Sequence, residues 1–460
     1  MDTNLHGERP ATRRAHPQGL GGGGAAARRR RACISRRSTR SAGGQRPAFS
    51  LGPPATQEEE EAPLKSPTPR RLWKYVNQHL HLAAYFRSPG DGRSSHKIPA
   101  KDLLWSIVLG TILRLWAFLA IEALVGSTAR RNLGVSQAFG DDALGYFTER
   151  LDPAPTRAAL AAVLHRAKRN KAFEGCRFVG LALDGTTVGR RRKSKCPLCR
   201  PYRNADRKIV GYRHHLVVAT VVGGDLTLPA DVEPYGPGDS EYAAGQRLVR
   251  RVRVSLGARF IDYVVVDGEF ATAPFLHTAG KVGWPVVARL KDNLPELFQA
   301  AQRRFRCKPP DLEFREGPDR VEIWDADDFD PWESLQWDTV RVIRYRQHHR
   351  NGEIVEAYWL SNFSSRRMSR RCLYAMAKSR WQIENQGFND AKNRYGLEHI
   401  RHHHERSLLL VWLLTCLGLT LERLYRLRYL HRGSHPVRTA IDLFRLLQLG
   451  LSLPVVSDSS

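Results

Sequence analysis

The sequence predicts an α/β protein: a mixed sheet flanked by helices, carrying a β-rich insertion and preceded by a helical domain. Three observations predict it. Residues 71–172 carry helical periodicity with few strand-like runs. From residue 177, short β-branched runs alternate with helix patterns. From about 310 to 363 the chain turns to polar, alternating strands before helices return.

The 460 residues suffice for two or three domains and a sizeable core. The net charge is +27. Residues 1–70 hold 13 of the 73 Lys and Arg and 6 of the 46 Asp and Glu, so they contribute +7 of it. The remaining +20 lies in the part that reads as folded, which points to a polyanionic partner, nucleic acid first and an anionic membrane surface second.

Residues 1–70 come first. "GGGGAAARRRR" (21–31) runs on into "EEEE" (58–61). Such a stretch buries too little apolar area to fold, so it reads as a disordered basic tail. It carries no secretory-signal pattern. A basic tail or a start codon placed too early fits better than a transit peptide.

Helices follow at 71–87, 101–126, 133–150 and 155–169. The last opens "DPAPTRAALAAVLHRAKRNKAF", with prolines in its first turns and a basic end, which suits the helix dipole. This domain, 71–172, could bind DNA or serve as a cap. Two apolar stretches, 103–125 and 408–421, need a membrane check. The first contains Arg114 and Glu122, and the second spans only 14 residues. A spanning helix wants ~20 clean apolar residues. Both read as core helices, and no membrane partner is expected.

The pattern then changes. "RFVGLALDGTTV" (177–188) is a strand running into a turn. Residues 209–232 read as two strands joined at a Gly-Gly-Asp turn. "GDSEYAAGQRLVRRVRVSLG" (238–257) is an amphipathic helix capped around Asp239 and Ser240. "FIDYVVVDG" (260–268) is a short buried strand. A helix at 271–281 and a strand at 284–291 complete the order βββ-α-β-α-β. The β-rich insertion spans 292–363. Helices at 366–397 and 404–430 form a second part, 364–432. A C-terminal tail, 433–460, contains one more helix.

Three carboxylates stand out. Asp184 and Asp267 each end an apolar strand run, both followed by Gly. Either alone could be an Asp-Gly turn. Two apolar strands ending alike in a basic protein are harder to dismiss, because an ionised Asp beside "VVV" needs a partner. Glu384 lies in "RWQIENQGFNDAKNRYGLEHI" (380–400). There Arg380, Glu384, Phe388 and Lys392 follow a four-residue spacing on one helical face, and Trp381, Phe388 and Tyr395 recur every seven. Solvated ion pairs would explain the charges at ~0.3–0.5 kcal/mol each. A partly buried Glu384 would instead want a metal. Two Asp and one Glu are hard oxygen ligands suited to Mg²⁺ or Mn²⁺. Two such ions can activate an attacking oxygen and stabilise a leaving oxygen at a phosphodiester.

The ordered set "LALDGTT", "VVVDGEF" and "RWQIENQGFNDAK" resembles the DDE transposases of bacterial insertion sequences, specifically the insertion-sequence-four type. The resemblance covers roughly 177–430. It implies a ribonuclease-H-like catalytic domain, interrupted by a β-rich insertion between the second Asp and the Glu. It implies Asp184, Asp267 and Glu384 as catalytic ligands of two Mg²⁺ or Mn²⁺ ions. It also implies metal-dependent cleavage at transposon ends and direct strand transfer to target DNA, without a covalent protein–DNA intermediate. The partners it implies are terminal repeats, target DNA, and a homodimer or larger synaptic complex. The place is the bacterial cytoplasm, at the nucleoid. The family's motif runs Tyr, Arg, Glu, Lys along one helix. Arg380 matches the Arg. The Tyr position falls on Ala377. The Lys is expected seven residues after the Glu, where this chain has Ala391, with Lys392 one later. Arg380, Lys392 and the run Arg190, Arg191, Arg192 and Lys193 are the expected DNA contacts. Other readings are a ribonuclease-H-like nuclease or resolvase, and an inactive DNA-binding derivative of a transposase.

The seven cysteines, Cys33, Cys176, Cys196, Cys199, Cys307, Cys372 and Cys416, suit a reducing compartment. Cys196 and Cys199 have zinc-knuckle spacing, with His214 and His215 on the next strand. Adjacent strand residues face opposite ways, so one structural Zn²⁺ would take Cys196, Cys199 and His214 more readily than both histidines. The alternative is a basic hairpin loop with two reduced thiols. "HHH" (402–404) reads as an exposed helix start.

Overall fold

A computed structural model describes residues 66–429 and 437–452; the tail expected at 1–70 lies outside the described residues as far as residue 65. The N-terminal helices are α1 (Pro69–Gln78), α2 (Ala83–Arg87), α3 (Ala100–Ile112), α4 (Phe118–Gly126), α5 (Arg130–Leu133), α6 (Asp141–Arg150) and α7 (Pro153–Arg169). Two helices expected to be continuous are broken. The 71–87 pattern breaks near His81 (φ 57°) and the 101–126 pattern at Arg114 (φ 60°). At the second break the Arg114 N–H bonds Thr111 O and the Leu115 N–H bonds Gly110 O, which closes α3. The Arg114 guanidinium lies over the Phe444 ring, 4.5 Å from its centroid. Apolar periodicity cannot register such a stop, because both flanking helices bury the same kind of side chain.

The central part runs β1 (Gly180–Arg191), β2 (Arg200–Arg203), β3 (Ile209–Val222), β4 (Leu228–Tyr235), α8 (Glu241–Leu256), β5 (Tyr263–Val266), α9 (Ala273–Lys281) and β6 (Val286–Leu290). The expected insertion opens with an amphipathic helix, α10 (Pro295–Arg306). It continues as β7 (Leu312–Glu316), β8 (Asp319–Phe329), β9 (Val340–His348) and β10 (Ile354–Ser361). Then come α11 (Arg370–Ser379), a π-helical turn (Ile383–Phe388), α12 (Asn389–Asn393), α13 (Glu405–Tyr429) and α14 (Ala440–Ser452).

The ten strands of the described residues join one mixed sheet, in the order β2–β3–β1–β5–β6–β10–β9–β8–β7, with β4 beside β2 on the outer edge of β3. β5 and β6 run parallel to β1, whereas β3 is antiparallel to it and β4 to β3. The order β4–β3–β1–β5–β6 is consistent with the ribonuclease-H-like arrangement. β10 pairs antiparallel with β6, so the insertion extends the sheet by four strands. The fold is thus the mixed sheet flanked by helices that the sequence predicts.

Strand parity sorts the core into two faces. Leu181, Leu183, Val264, Val266, Val286 and Ala288 pack with α8, α9 and α13. Ala182, Tyr263, Val265 and Val287 pack with Leu373, Met376 and Ala377 of α11 on the other side. The Tyr263 hydroxyl bonds Ser379 Oγ at 2.8 Å, buried, and pins the end of α11 to β5. Helix α13 is long and apolar enough to cross a membrane, but its apolar window is 94% buried. It packs on β4, α3, α6 and α7 and is a core helix.

Candidate active site

The register of the central strands brings the two aspartates together. Leu183 pairs with Val266 in the parallel β1–β5 ladder. Asp184 and Asp267 are the next residue on each strand, across a spacing of ~4.8 Å. Parity puts both on the face that α11 covers, after Ala182 and Val265. Asp184 does not begin a turn, as "DGTT" suggested; β1 continues to Arg191, and Asp184 pairs with Val218 of β3. Asp267 does end its strand. Its Oδ1 accepts the Gly268 N–H at 2.6 Å and caps a short 3₁₀ turn, Gly268–Phe270.

Glu384 arrives from the other side. The Arg380 guanidinium, 8% exposed, reaches Asp184 Oδ2 at 3.2 Å and Glu384 Oε1 at 2.6 Å. Asp267 is bound instead by Lys291, 3.1 Å away at the end of β6. Burial pushes the Asp184 carboxyl up to about 7; Arg380 opposes this, while Glu384, Glu241 and Asp267 add to it. Burial also raises Asp267, but the Gly268 N–H, Arg380 and Lys291 outweigh it and leave that carboxyl below its ordinary value. Burial pulls the Arg380 guanidinium down, yet Asp184, Asp267 and Glu384 hold it above its ordinary value. The three carboxylates therefore share one electrostatic neighbourhood with the buried Arg380 guanidinium, and the partly buried Arg289 faces Asp267 and Arg380 there. Arg380, expected on the DNA side, is committed to these acids.

The helix carrying Glu384 is not the uninterrupted one expected at 366–397. The Asn389 N–H bonds Glu384 O, five residues back, in the π-helical turn. Such a turn holds one residue more than an α-helical turn. On an ideal α-helix a residue eight positions on lies about 80° off the starting face, whereas seven positions leave it about 20° off. The extra residue thus absorbs the one-position displacement of Lys392. Lys392 Nζ lies 3.3 Å from Thr187 O of β1 and 3.3 Å from Glu398. The same turn breaks the seven-residue spacing of aromatics: Trp381 is 42% exposed while Tyr395 is 4% exposed.

Beside Asp184 opens a cleft of ≈ 830 Å³. Gly185, Thr186, Thr187 and Lys392 form one wall, and Arg200, Tyr202, Arg213, His215, Tyr235, Glu241 and Glu269 line the rest. Glu241, in the first turn of α8, is a site residue that sequence reasoning missed. Its carboxylate accepts the Tyr235 hydroxyl at 2.9 Å. A Cβ on Gly185 would stand 2.3 Å from that carboxyl group, so any larger residue there would push the Glu241 carboxylate aside. The Ser240-Glu241 pair reads as capping chemistry, and Ser240 does cap α8 through the Ala243 N–H. Nothing local signals that α8 starts beside β1. Arg190, Arg191, Arg192 and Lys193 are all exposed, at and just past the end of β1. Arg190 donates to the Tyr202 hydroxyl at the mouth of the cleft.

The cysteines meet more ligands than expected. Cys196 and Cys199 face His214 as predicted, while His215 points the other way, toward Tyr235. "HHH" is not an exposed helix start. His402 pairs with Glu149 at 2.8 Å, and His403 Nε2 lies 3.3 Å from Cys199 Sγ.

No curated protein sequence matches the chain. Among solved structures, a cryo-EM structure of a piggyBac transposase synaptic complex with hairpin DNA is similar at a TM-score of 0.39 and 10% identity, over 85% of this chain and 83% of that chain. The family model described as "Transposase DDE domain" matches residues 176–421, more than half of the sequence, from before β1 into α13, a span that holds the three carboxylates. The chain belongs to the DDE transposase domain family.

Proposed function

We propose that this transposase cuts DNA at the ends of an insertion sequence of the insertion-sequence-four type and joins the freed 3′ ends to target DNA. Asp184, Asp267 and Glu384 are the catalytic carboxylates in this reading, on a ribonuclease-H-like domain formed by 177–291 and 364–432. The β-rich stretch 292–363 is its insertion, and 71–172 is a helical domain. One observation carries the reading. Acids from two adjacent strands and a third from a helix gather around one buried guanidinium, that of Arg380.

The donor set fits Mg²⁺ or Mn²⁺: all three side chains are hard oxygen ligands, and the raised Asp184 carboxyl marks a place short of positive charge. Two such ions would supply activation of the attacking oxygen and stabilisation of the leaving one. The chain's own residues do the rest. Arg380 and Lys291 hold the acids in place. Arg190, Arg191, Arg192 and Lys193 offer exposed charge to the phosphate backbone beside the cleft. Lys392 presents a cation on the cleft wall. Two DNA ends require a dimer or larger synaptic assembly, working in the bacterial cytoplasm at the nucleoid.

The test is Mg²⁺-dependent nicking of the element's own flanking terminal repeats. Asp184→Asn, Asp267→Asn and Glu384→Gln should each lower cleavage by more than about 1,000-fold while DNA affinity changes less than about threefold, since losing a transition-state group costs several kcal/mol. A variant that cleaves at the wild-type rate removes its residue from the site.

A further inference from the structure

Outside the carboxylate site, four metal-binding side chains from distant parts of the chain point at one another. Cys196 and Cys199 lie on the loop between β1 and β2. His214 is on β3, and His403 is in the segment between α12 and α13. The ligand atoms all lie within 4.8 Å of one another. Sγ of Cys196 and Sγ of Cys199 are 3.6 Å apart. His214 Nε2 is 3.3 Å from the first sulfur and 3.4 Å from the second, and His403 Nε2 is 3.3 Å from Cys199 Sγ. A tetrahedron with Zn–S of about 2.3 Å and Zn–N of about 2.05 Å has S···S edges of about 3.8 Å and S···N edges of about 3.6 Å. Four of the six edges match these to within about 0.3 Å, and the two remaining edges, both to His403, lie within 4.8 Å. A disulfide would need about 2.05 Å.

The surroundings support a built site. Cys199 N–H bonds Cys196 O at 3.1 Å and closes the knuckle turn. The His214 ring packs edge-on against His403 and Trp412, which sets its orientation. Both imidazoles turn Nε2 toward the sulfurs, as ligands to one ion would. Gly189 lets the two chain segments touch. Its φ is +62°, and a Cβ there would stand 2.7 Å from Ile400.

We propose that Cys196, Cys199, His214 and His403 bind one structural zinc ion, which clamps the basic β1–β2 loop to the segment that follows the Glu384 helix. Two thiolates and two imidazoles in a tetrahedral S₂N₂ set select zinc over harder cations. The Cys199–His403 link spans 204 residues of sequence, so one ion closes a very long loop. It ties the strand bearing Asp184 and Arg190 to the part of the chain bearing Glu384 and Lys392.

The full-length chain, purified from zinc-supplemented cells, should carry one zinc by elemental analysis. Its reactive thiols should rise by two on chelation. Cys199→Ser and His403→Ala should each weaken zinc binding more than about 100-fold, beyond the 10–100-fold usual for losing an outer-shell partner; His403→Cys should retain the ion. Because a variant can fail by misfolding, the wild-type chain loaded with Co²⁺ is the second measurement. It should give sulfur-to-metal charge transfer and the intense visible bands of a tetrahedral site. Hydrogen exchange should quicken at 186–203 and 394–404 when the ion is stripped. Zinc-free protein with two freely reactive thiols, an octahedral cobalt spectrum, or full zinc affinity in His403→Ala would overturn the four-ligand site. Unchanged exchange on stripping would overturn the clamp. None of these readouts depends on DNA cleavage.

Discussion

At the scale of single residues, burial decides which acids matter. Asp184 and Asp267 were legible because an ionisable side chain ending an apolar run must find a partner. Glu241 was not, because an acid in a first helical turn already has a local reason to be there. Metal-free Asp184 makes a pH prediction. Its carboxyl titrates at about 7 in the folded chain against 3.8 ordinarily. Between these values the folded state holds the extra proton, so stability falls as pH rises from about 4 to about 7. In chelator, the urea midpoint of the wild type should drop across that window relative to Asp184→Asn. Parallel curves for the two proteins would show that Asp184 is ionised like an ordinary surface acid.

At the scale of elements, the π-helical turn sets the helical face on which Lys392 stands. Arg380 and Glu384 were legible as a four-residue pair, and the 2.6 Å contact bears that spacing out. The turn itself was not, because a residue count carries no information on whether a helix closes its bonds four or five residues back. Lys392→Ala should lower cleavage without altering the fold. Deleting Gly387 turns the stretch into seven-residue spacing on plain α-helix, and cleavage should stay within about tenfold of wild type. Inserting one alanine after Phe388 rotates Lys392 by about 100° and should cost as much as Lys392→Ala. If deletion and insertion are equally damaging, the face-restoring role of the turn is wrong. The α11 anchor gives a milder outcome: Tyr263→Phe loses a buried hydroxyl bond to Ser379 and should destabilise by about 1–2 kcal/mol in urea melts.

At the scale of the whole molecule, one sheet carries both the strands that bear Asp184 and Asp267 and strands β7 to β10, which widen it beyond β6. The charge of +27 predicts strongly salt-dependent DNA binding. Replacing Arg190, Arg191, Arg192 and Lys193 together by alanine should reduce the slope of log K against log salt by up to about 3.6, at about 0.9 per lost phosphate contact. Anisotropy titrations on duplex ends across a salt series measure this. An unchanged slope would place the backbone contacts elsewhere.

The sequence by itself determined the core order βββ-α-β-α-β, the two aspartates at the ends of apolar strand runs, the Arg380–Glu384 pair and the basic charge of the chain. These depend on side-chain periodicity and net charge, which are local or additive properties. Only the tertiary structure decided that Arg380 joins Asp184 to Glu384, that Glu241 enters beside Gly185, and that His403 meets Cys199. Each of these brings together residues far apart in the chain, or depends on how a turn closes. Pattern and spacing report neither, because the deciding energy comes from packing between elements.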